Sequence, residues 1–175
     1  VGLSILEILS VHPTSPASLN AFDPAMPERY AALVEAVRPT GMRLFQQIWH
    51  GGHNSLPLDG SPPWGPSDVP GSTIGVPPVP MTQAMIDTIV AAYADAAAKC
   101  VAWGIDGVEI HCAHGYLPAQ FLSPATNKRT DRYGGAFAER ACFMLEIMRA
   151  VRAELGELVF TSLTKEALPI IRYRT

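Results

Sequence analysis

Long apolar runs are absent from this 175-residue sequence, and that removes one broad class of function. No stretch reaches the roughly 18 apolar residues that a membrane span requires, and no charged start leading into an apolar segment marks a signal peptide. Charge of one sign is equally scarce. The 13 Lys and Arg against 16 Asp and Glu leave a formal net charge of −3, and the basic residues are scattered rather than blocked. Nucleic acid and membrane surfaces are therefore not expected partners; a small molecule is. Cysteine is sparse. Cys100, Cys112 and Cys142 are odd in number and too far apart for a Cys-x-x-Cys pair, which argues against a disulfide framework or a thiolate metal cluster. Three free thiols fit a reducing, cytoplasmic compartment. An initiating methionine is also missing, because the chain begins at Val1 and enters an apolar run at Leu3. The expectation is a fragment whose coding start lies upstream.

What is present is a globular composition, 48% apolar and 17% charged, long enough to bury one core. Residues 3–9 form an apolar run of strand length, followed by a loop over 11–23. Pro27 suits a first helical turn, after which Tyr30, Leu33, Val34 and Val37 repeat at helical spacing until Pro39. Residues 42–49 read as a second strand. Period two places Arg43, Phe45, Gln47 and Trp49 on one face and Leu44, Gln46 and Ile48 on the other. Eight prolines between positions 50 and 80 predict a long irregular connection. Thr82 can cap a helix carrying Ile86, Ile89, Val90, Tyr93, Ala97, Cys100 and Val101 on one stripe and ending at Gly104. A third strand is expected over 107–111, with Glu109 and His111 on one face, and then a loop over 112–135. The last helix buries Ala141, Met144, Leu145, Met148, Val151 and Leu155 and stops at Gly156, and a fourth strand covers 158–163. Strict alternation of strand and helix predicts an α/β fold with a parallel sheet of βαβ units. An open doubly wound sheet and a barrel both satisfy it, and in both the ligand binds beyond the strand C-termini.

Polar rings gather at that edge. The run His111-Cys112-Ala113-His114-Gly115-Tyr116 closes the third strand. Two imidazoles can hold a carbonyl oxygen by two hydrogen bonds while a nearby phenol delivers a proton. Conjugate reduction needs that set, since hydride addition to the β-carbon of an unsaturated carbonyl builds negative charge on oxygen and leaves the α-carbon to be protonated. Two other readings stay open: ordinary polar residues at a sheet edge, or a metal-dependent hydrolase site recruiting His50 and His53, for which tight ligand spacing is lacking apart from Cys112. On the second strand, the Gln47 carboxamide offers a donor and an acceptor that match the edge of a flavin pyrimidine, and Trp49 can wall a pocket for a flat ligand. A core glutamine and tryptophan is the plainer alternative.

The unbroken stretch over residues 107–135, from Gly-Val-Glu-Ile-His through Gln-Phe-Leu-Ser-Pro-Ala-Thr-Asn-Lys-Arg to Asp-Arg-Tyr-Gly-Gly, closely resembles the signature of the old yellow enzyme family. The segments over 2–14 and 47–52 stand in the family's order and spacing, and the resemblance covers nearly all of the chain up to about Gly156. It implies a partial (β/α)8 TIM barrel, about strands two to five of the parent. It also implies FMN as cofactor, NADH or NADPH as reductant, and a small-molecule substrate with an activated alkene. By position, Gln47 matches the flavin-pyrimidine ligand, Trp49 a wall of the substrate pocket, His111 and His114 the pair on the substrate oxygen, and Tyr116 the proton donor. His-Gly-Gly-His after Trp49 and Leu-Pro-Ala-Gln after Tyr116 lean towards the larger members that resemble dienoyl-CoA reductases and trimethylamine dehydrogenase.

Departures accompany the match. His53 stands where many relatives have arginine, and residues 159–164 lack the arginine that the family's fifth strand turns to the flavin; Arg172 and Arg174 come later. The expected division is a partial FMN-binding barrel over 1–157 and a divergent tail over 158–175, frameshifted or truncated. The parent's first strand, strands six to eight and the phosphate loop would lie outside. Half a barrel exposes two parallel edges and its inner face, which favours a homo-oligomer. A non-catalytic remnant of a truncated barrel is the alternative function.

Overall fold

A computed structural model of the chain describes residues 2–156 and the strand backbone at 159–162. The tail expected over 158–175 lies outside the described residues except for that strand. In chain order the elements are β1 (Leu3–Ser10), β2 (Leu19–Asn20), α1 (Met26–Val37), β3 (Arg43–Trp49), β4 (Trp64–Gly65), β5 (Val79–Pro80), α2 (Gln83–Ala102), β6 (Gly107–His111), α3 (Leu117–Leu122), α4 (Phe137–Leu155) and β7 (Val159–Ser162).

Every pairing is parallel, and the main sheet runs β2-β1-β3-β6-β7. Its four long strands follow one another in sequence order without a reversal. Right-handed crossovers then place all the connecting helices on one face of the sheet, which is how a barrel is wound. A doubly wound sheet reverses its order at a switch point; none exists among the described strands, and the architecture left open by periodicity is a barrel arc.

Alternation along β3 separates the two faces. Gln46 is buried towards α1, where the Tyr30 hydroxyl donates to its Oε1 at 2.6 Å. Leu44 and Ile48 join Val108 and Ile110 of β6 in the core beneath the helices, with Ile86, Ile89, Tyr93, Ala97 and Cys100 of α2 and Phe143, Ile147 and Val151 of α4. The odd residues Phe45, Gln47 and Trp49 face the barrel interior, in register with Gly107 and Glu109. A side chain at Gly107 would meet the Phe45 ring at 2.6 Å, so the bare backbone there makes room for phenylalanine in the inner layer. Ile5, opposite Phe45, is 39% exposed at the open side of the arc.

Thr82 caps α2 as expected: its hydroxyl accepts the Met85 N–H at 3.3 Å. Three local expectations change. The loop over 112–135 contains α3, six residues long, too short to show a stripe. Pro118 sits in its first turn, where its missing N–H costs nothing. Tertiary packing holds α3 in place, with Phe121 stacked on Phe143 at 4.2 Å between ring centroids. That stack also rotates the buried stripe of α4. Phe143 and Ile147 are fully buried beside Ala141 and Val151, whereas Met144, Met148 and Leu155 are half-buried and Leu145 is exposed. On α2, Ala96 lies in the core and Val101, at the last turn, is exposed. The long connection over 50–80 is irregular except for a 3-10 turn at Gly52–Asn54 and the small β4–β5 ladder.

Candidate active site

β6 delivers His111 to the C-terminal edge of the sheet. Beyond it the chain turns back through two left-handed residues, His114 at φ 55° and Gly115 at φ 70°. Glycine adopts this conformation freely, whereas a side chain such as histidine is strained there by roughly 1 kcal/mol or more. The strain has a geometric result. It swings the exposed His114 ring over His111, with Nδ1 of His114 3.2 Å from Nε2 of His111. The Ala113 N–H donates to Nδ1 of His111 at 3.2 Å, so that nitrogen keeps its lone pair and the proton sits on Nε2. Burial, reinforced by His114, pushes the His111 pKa down to about 4. His111 is a neutral Nε2–H donor at neutral pH.

Tyr116 completes the cluster from the start of α3. Its ring lies edge-on to His111 at 4.9 Å, to Trp49 at 5.2 Å and to His114 at 6.3 Å, each near a right angle. The end of β3 and the turn after β6 therefore bring Trp49, His111, His114 and Tyr116 together. Gln47 lies two residues before Trp49 on the same face, half-buried, with no hydrogen bond from its carboxamide among the described residues. The Trp49 indole Nε1 is buried without a partner among those residues. A buried unpaired donor is uncommon in a folded protein and leaves a place for a ligand acceptor on this face.

His50 and His53, grouped with these rings as a metal alternative, are used elsewhere. His50 is wholly buried: its Nδ1 accepts the Gly52 N–H at 3.0 Å, and its Nε2 meets the Thr14 hydroxyl at 2.9 Å. Thr14 continues to His12 Nδ1 at 2.8 Å. Burial, then the nearby His12, push the His50 pKa down to about 3. His53 directs Nδ1 to the Val69 carbonyl at 3.0 Å and pins the long connection. Among the described residues no three His, Cys, Asp or Glu side chains are grouped to hold a metal, so the hydrolase alternative has no donor set there.

Several supporting residues escaped the sequence reading. Ser15 Oγ accepts the Gly51 N–H at 2.7 Å, and the buried Gln120 links the loops after β3 and β6. Their polarity is visible in sequence, but Gly51, which both engage, lies 36 positions from Ser15 and 69 from Gln120, and no local pattern marks the contact.

The profile of the NADH:flavin oxidoreductase / NADH oxidase family matches residues 1–165. The chain belongs to this family. The match bears out the resemblance drawn from residues 107–135. Similar proteins include an NADH oxidase of Thermoanaerobacter brockii, 40% identical over 163 residues covering 90% of this chain and 25% of the relative. A 12-oxophytodienoate reductase 7 of Oryza sativa subsp. japonica is 34% identical, covering 89% and 44%. Among solved structures, morphinone reductase superposes with a TM-score of 0.84 at 32% identity over 91% of this chain and 48% of its own. The chain thus spans a quarter to about half the length of these family members. The superposition agrees with the barrel arc read from the strand order. No described helix is long and apolar enough to cross a membrane.

Proposed function

We propose that this chain carries the substrate-activating part of an FMN-dependent oxidoreductase that reduces activated C=C bonds with NADH or NADPH. The observation that carries the reading is the turn after β6, which sets a neutral Nε2–H donor, a second imidazole and a phenol within one cluster. A carbonyl oxygen entering between the imidazoles replaces His114 as the acceptor of the His111 proton. His114, exposed to water, changes tautomer and supplies the second hydrogen bond. These donors stabilise the negative charge that grows on oxygen. Tyr116 then gives its proton to the α-carbon. FMN, held by these residues and reduced by NADH or NADPH, would supply the hydride for the β-carbon; the substrate would lose one π bond and gain two C–H bonds, with Tyr116 reprotonated from water.

The chain's own residues fit that cofactor. The Gln47 carboxamide is uncommitted among the described residues and can pair with the flavin pyrimidine, while Trp49 walls the pocket and has a buried N–H to donate. The exposed Ile5 marks an inner face that we take to be covered by further barrel strands or by a second copy in a homo-oligomer. Free cysteines fit a cytoplasmic setting.

Titration of the purified chain with FMN, followed by flavin fluorescence, tests the reading. Saturable binding weakened by Gln47→Ala is the expected result. A folded chain that does not bind FMN would transfer the activity to a longer protein and leave this one a non-catalytic barrel remnant.

A further inference from the structure

We propose that Gln120 is the positioning residue that sets the His114–Gly115–Tyr116 turn, and through it the imidazole pair. The inference rests on the proposed roles of His111, His114 and Tyr116. Gln120 is 1% exposed on α3 and hydrogen-bonds to none of the four site rings. Its carboxamide nevertheless ties together both loops that build the site. Nε2 donates to the Gly115 carbonyl at 2.7 Å and to the Gly51 carbonyl at 2.9 Å, and Oε1 accepts the His53 N–H at 3.1 Å. Both amide protons and one acceptor site are therefore used. The fit is close enough to dictate sequence opposite it: a β-carbon at Gly52 would stand 2.1 Å from Gln120 Oε1.

The Gly115 carbonyl is the point of leverage. Its peptide plane joins the two left-handed residues to Tyr116, so its direction sets where the His114 and Tyr116 side chains leave the backbone. His114 and Gly115 are exposed, and the only hydrogen bond of the His114 side chain among the described residues is to His111. Packing therefore does little to hold the strained turn. Hydrogen bonds do: the Tyr116 N–H closes the turn on the Ala113 carbonyl at 3.1 Å, and two side chains hold the Gly115 carbonyl, Gln120 and Asn54, whose Nδ2 reaches it at 3.1 Å. The Gln120 backbone N–H adds a bond to the Tyr116 carbonyl at 2.9 Å, and α3 is anchored by the buried Leu117 and Phe121. Shape alone does not replace this group. Leucine fills similar space but takes one donor from each of two carbonyls, leaving both to Asn54 alone, and leaves the His53 N–H unpaired; glutamate keeps the acceptor while turning a carboxylate towards two carbonyl oxygens.

The test reads the imidazoles directly, in the chain labelled with 15N-histidine, by NMR of the ring nitrogens at neutral pH. In Gln120→Leu the His114 resonances are expected to leave their hydrogen-bonded positions for those of a free, tautomer-averaged imidazole. His111 keeps its Nε2–H form because Ala113 still holds Nδ1, and unchanged His12 resonances report an intact fold. Loss of folding alone would not move His114 selectively. A folded Gln120→Leu chain with unmoved His114 signals overturns the proposal. Where leucine does not fold, Gln120→Glu must displace the same signals, and Asn54→Ala, at a half-buried position, must displace them less; unmoved signals in Gln120→Glu, or a larger displacement in Asn54→Ala, overturn it equally. The measurement needs no flavin, so a chain that fails to bind FMN leaves this result standing, and a null result here leaves the FMN titration untouched.

Discussion

The turn after β6 and the joint between the loops after β1 and β3 start from the same local device and end in opposite chemistry. In each, a histidine near a strand end accepts on Nδ1 the N–H of the residue two positions on: Ala113 to His111 at 3.2 Å, Gly52 to His50 at 3.0 Å, and Thr14 to His12 at 3.3 Å. All three are thereby held with the proton on Nε2. The difference lies in what receives it. His50 gives its proton to the half-buried Thr14 hydroxyl, which turns on to His12 Nδ1, so both ring nitrogens of His50 are satisfied within the protein. His111 gives its proton to an exposed, strained imidazole that a ligand oxygen can displace. On the proposed function, a histidine becomes a site residue through a replaceable partner rather than through its residue type.

The open end of the cluster should show the largest effect. In the FMN-loaded protein, Tyr116→Phe should lower turnover by about 10²- to 10⁴-fold, the usual worth of a positioned proton donor, with FMN binding unchanged. Turnover equal to the unmodified protein would remove Tyr116 from proton transfer and make the turn as inert as the His50 joint.

The closed end should answer in stability. His50→Ala leaves the Thr14 hydroxyl and Gly52 N–H without their partner, at about 1–3 kcal/mol for a buried unsatisfied group, measurable by urea unfolding. The same histidine sets an acid limit. Its pKa falls from 6.5 unfolded to about 3 folded, so its contribution is fully present above pH 6.5 and is lost as the pH drops towards 3. His111, lowered to about 4, acts in the same direction over a narrower range. The slope of stability against pH between 6.5 and 3 should flatten in His50→Ala; an unaltered slope would place the acid sensitivity elsewhere.

The smallest effect belongs to His114→Asn. Asparagine tolerates the left-handed backbone better than histidine and still offers an amide donor, so thermal unfolding should shift upward by less than about 1 kcal/mol equivalent while most turnover is kept. A clear loss of stability would mean that the turn is not strained by its side chain.

Much of the site was legible because it is local. Residues 107–135 resemble the family's signature without interruption, and period two alone placed Gln47 and Trp49 on one face. The supporting shell was not legible. Gln120 reads as one polar residue in a Pro-containing loop, α3 is too short to declare a stripe, and the stripe on α4 turned towards Phe143 because Phe121 lies across it. His50 and His53 looked like companions of His111 because proximity to a strand end was the only available criterion.

By itself the sequence determined the alternation of strands and helices, the capping of α2 by Thr82 and which rings stand at the strand ends, because these depend on period, propensity and contacts within a few residues. Only the tertiary structure decided that the sheet winds in one direction as a barrel arc, that His50 is sealed while His111 is poised, and that Gln120 spans two loops. Those outcomes depend on burial and on hydrogen-bond partners brought from distant positions, and no local pattern encodes either.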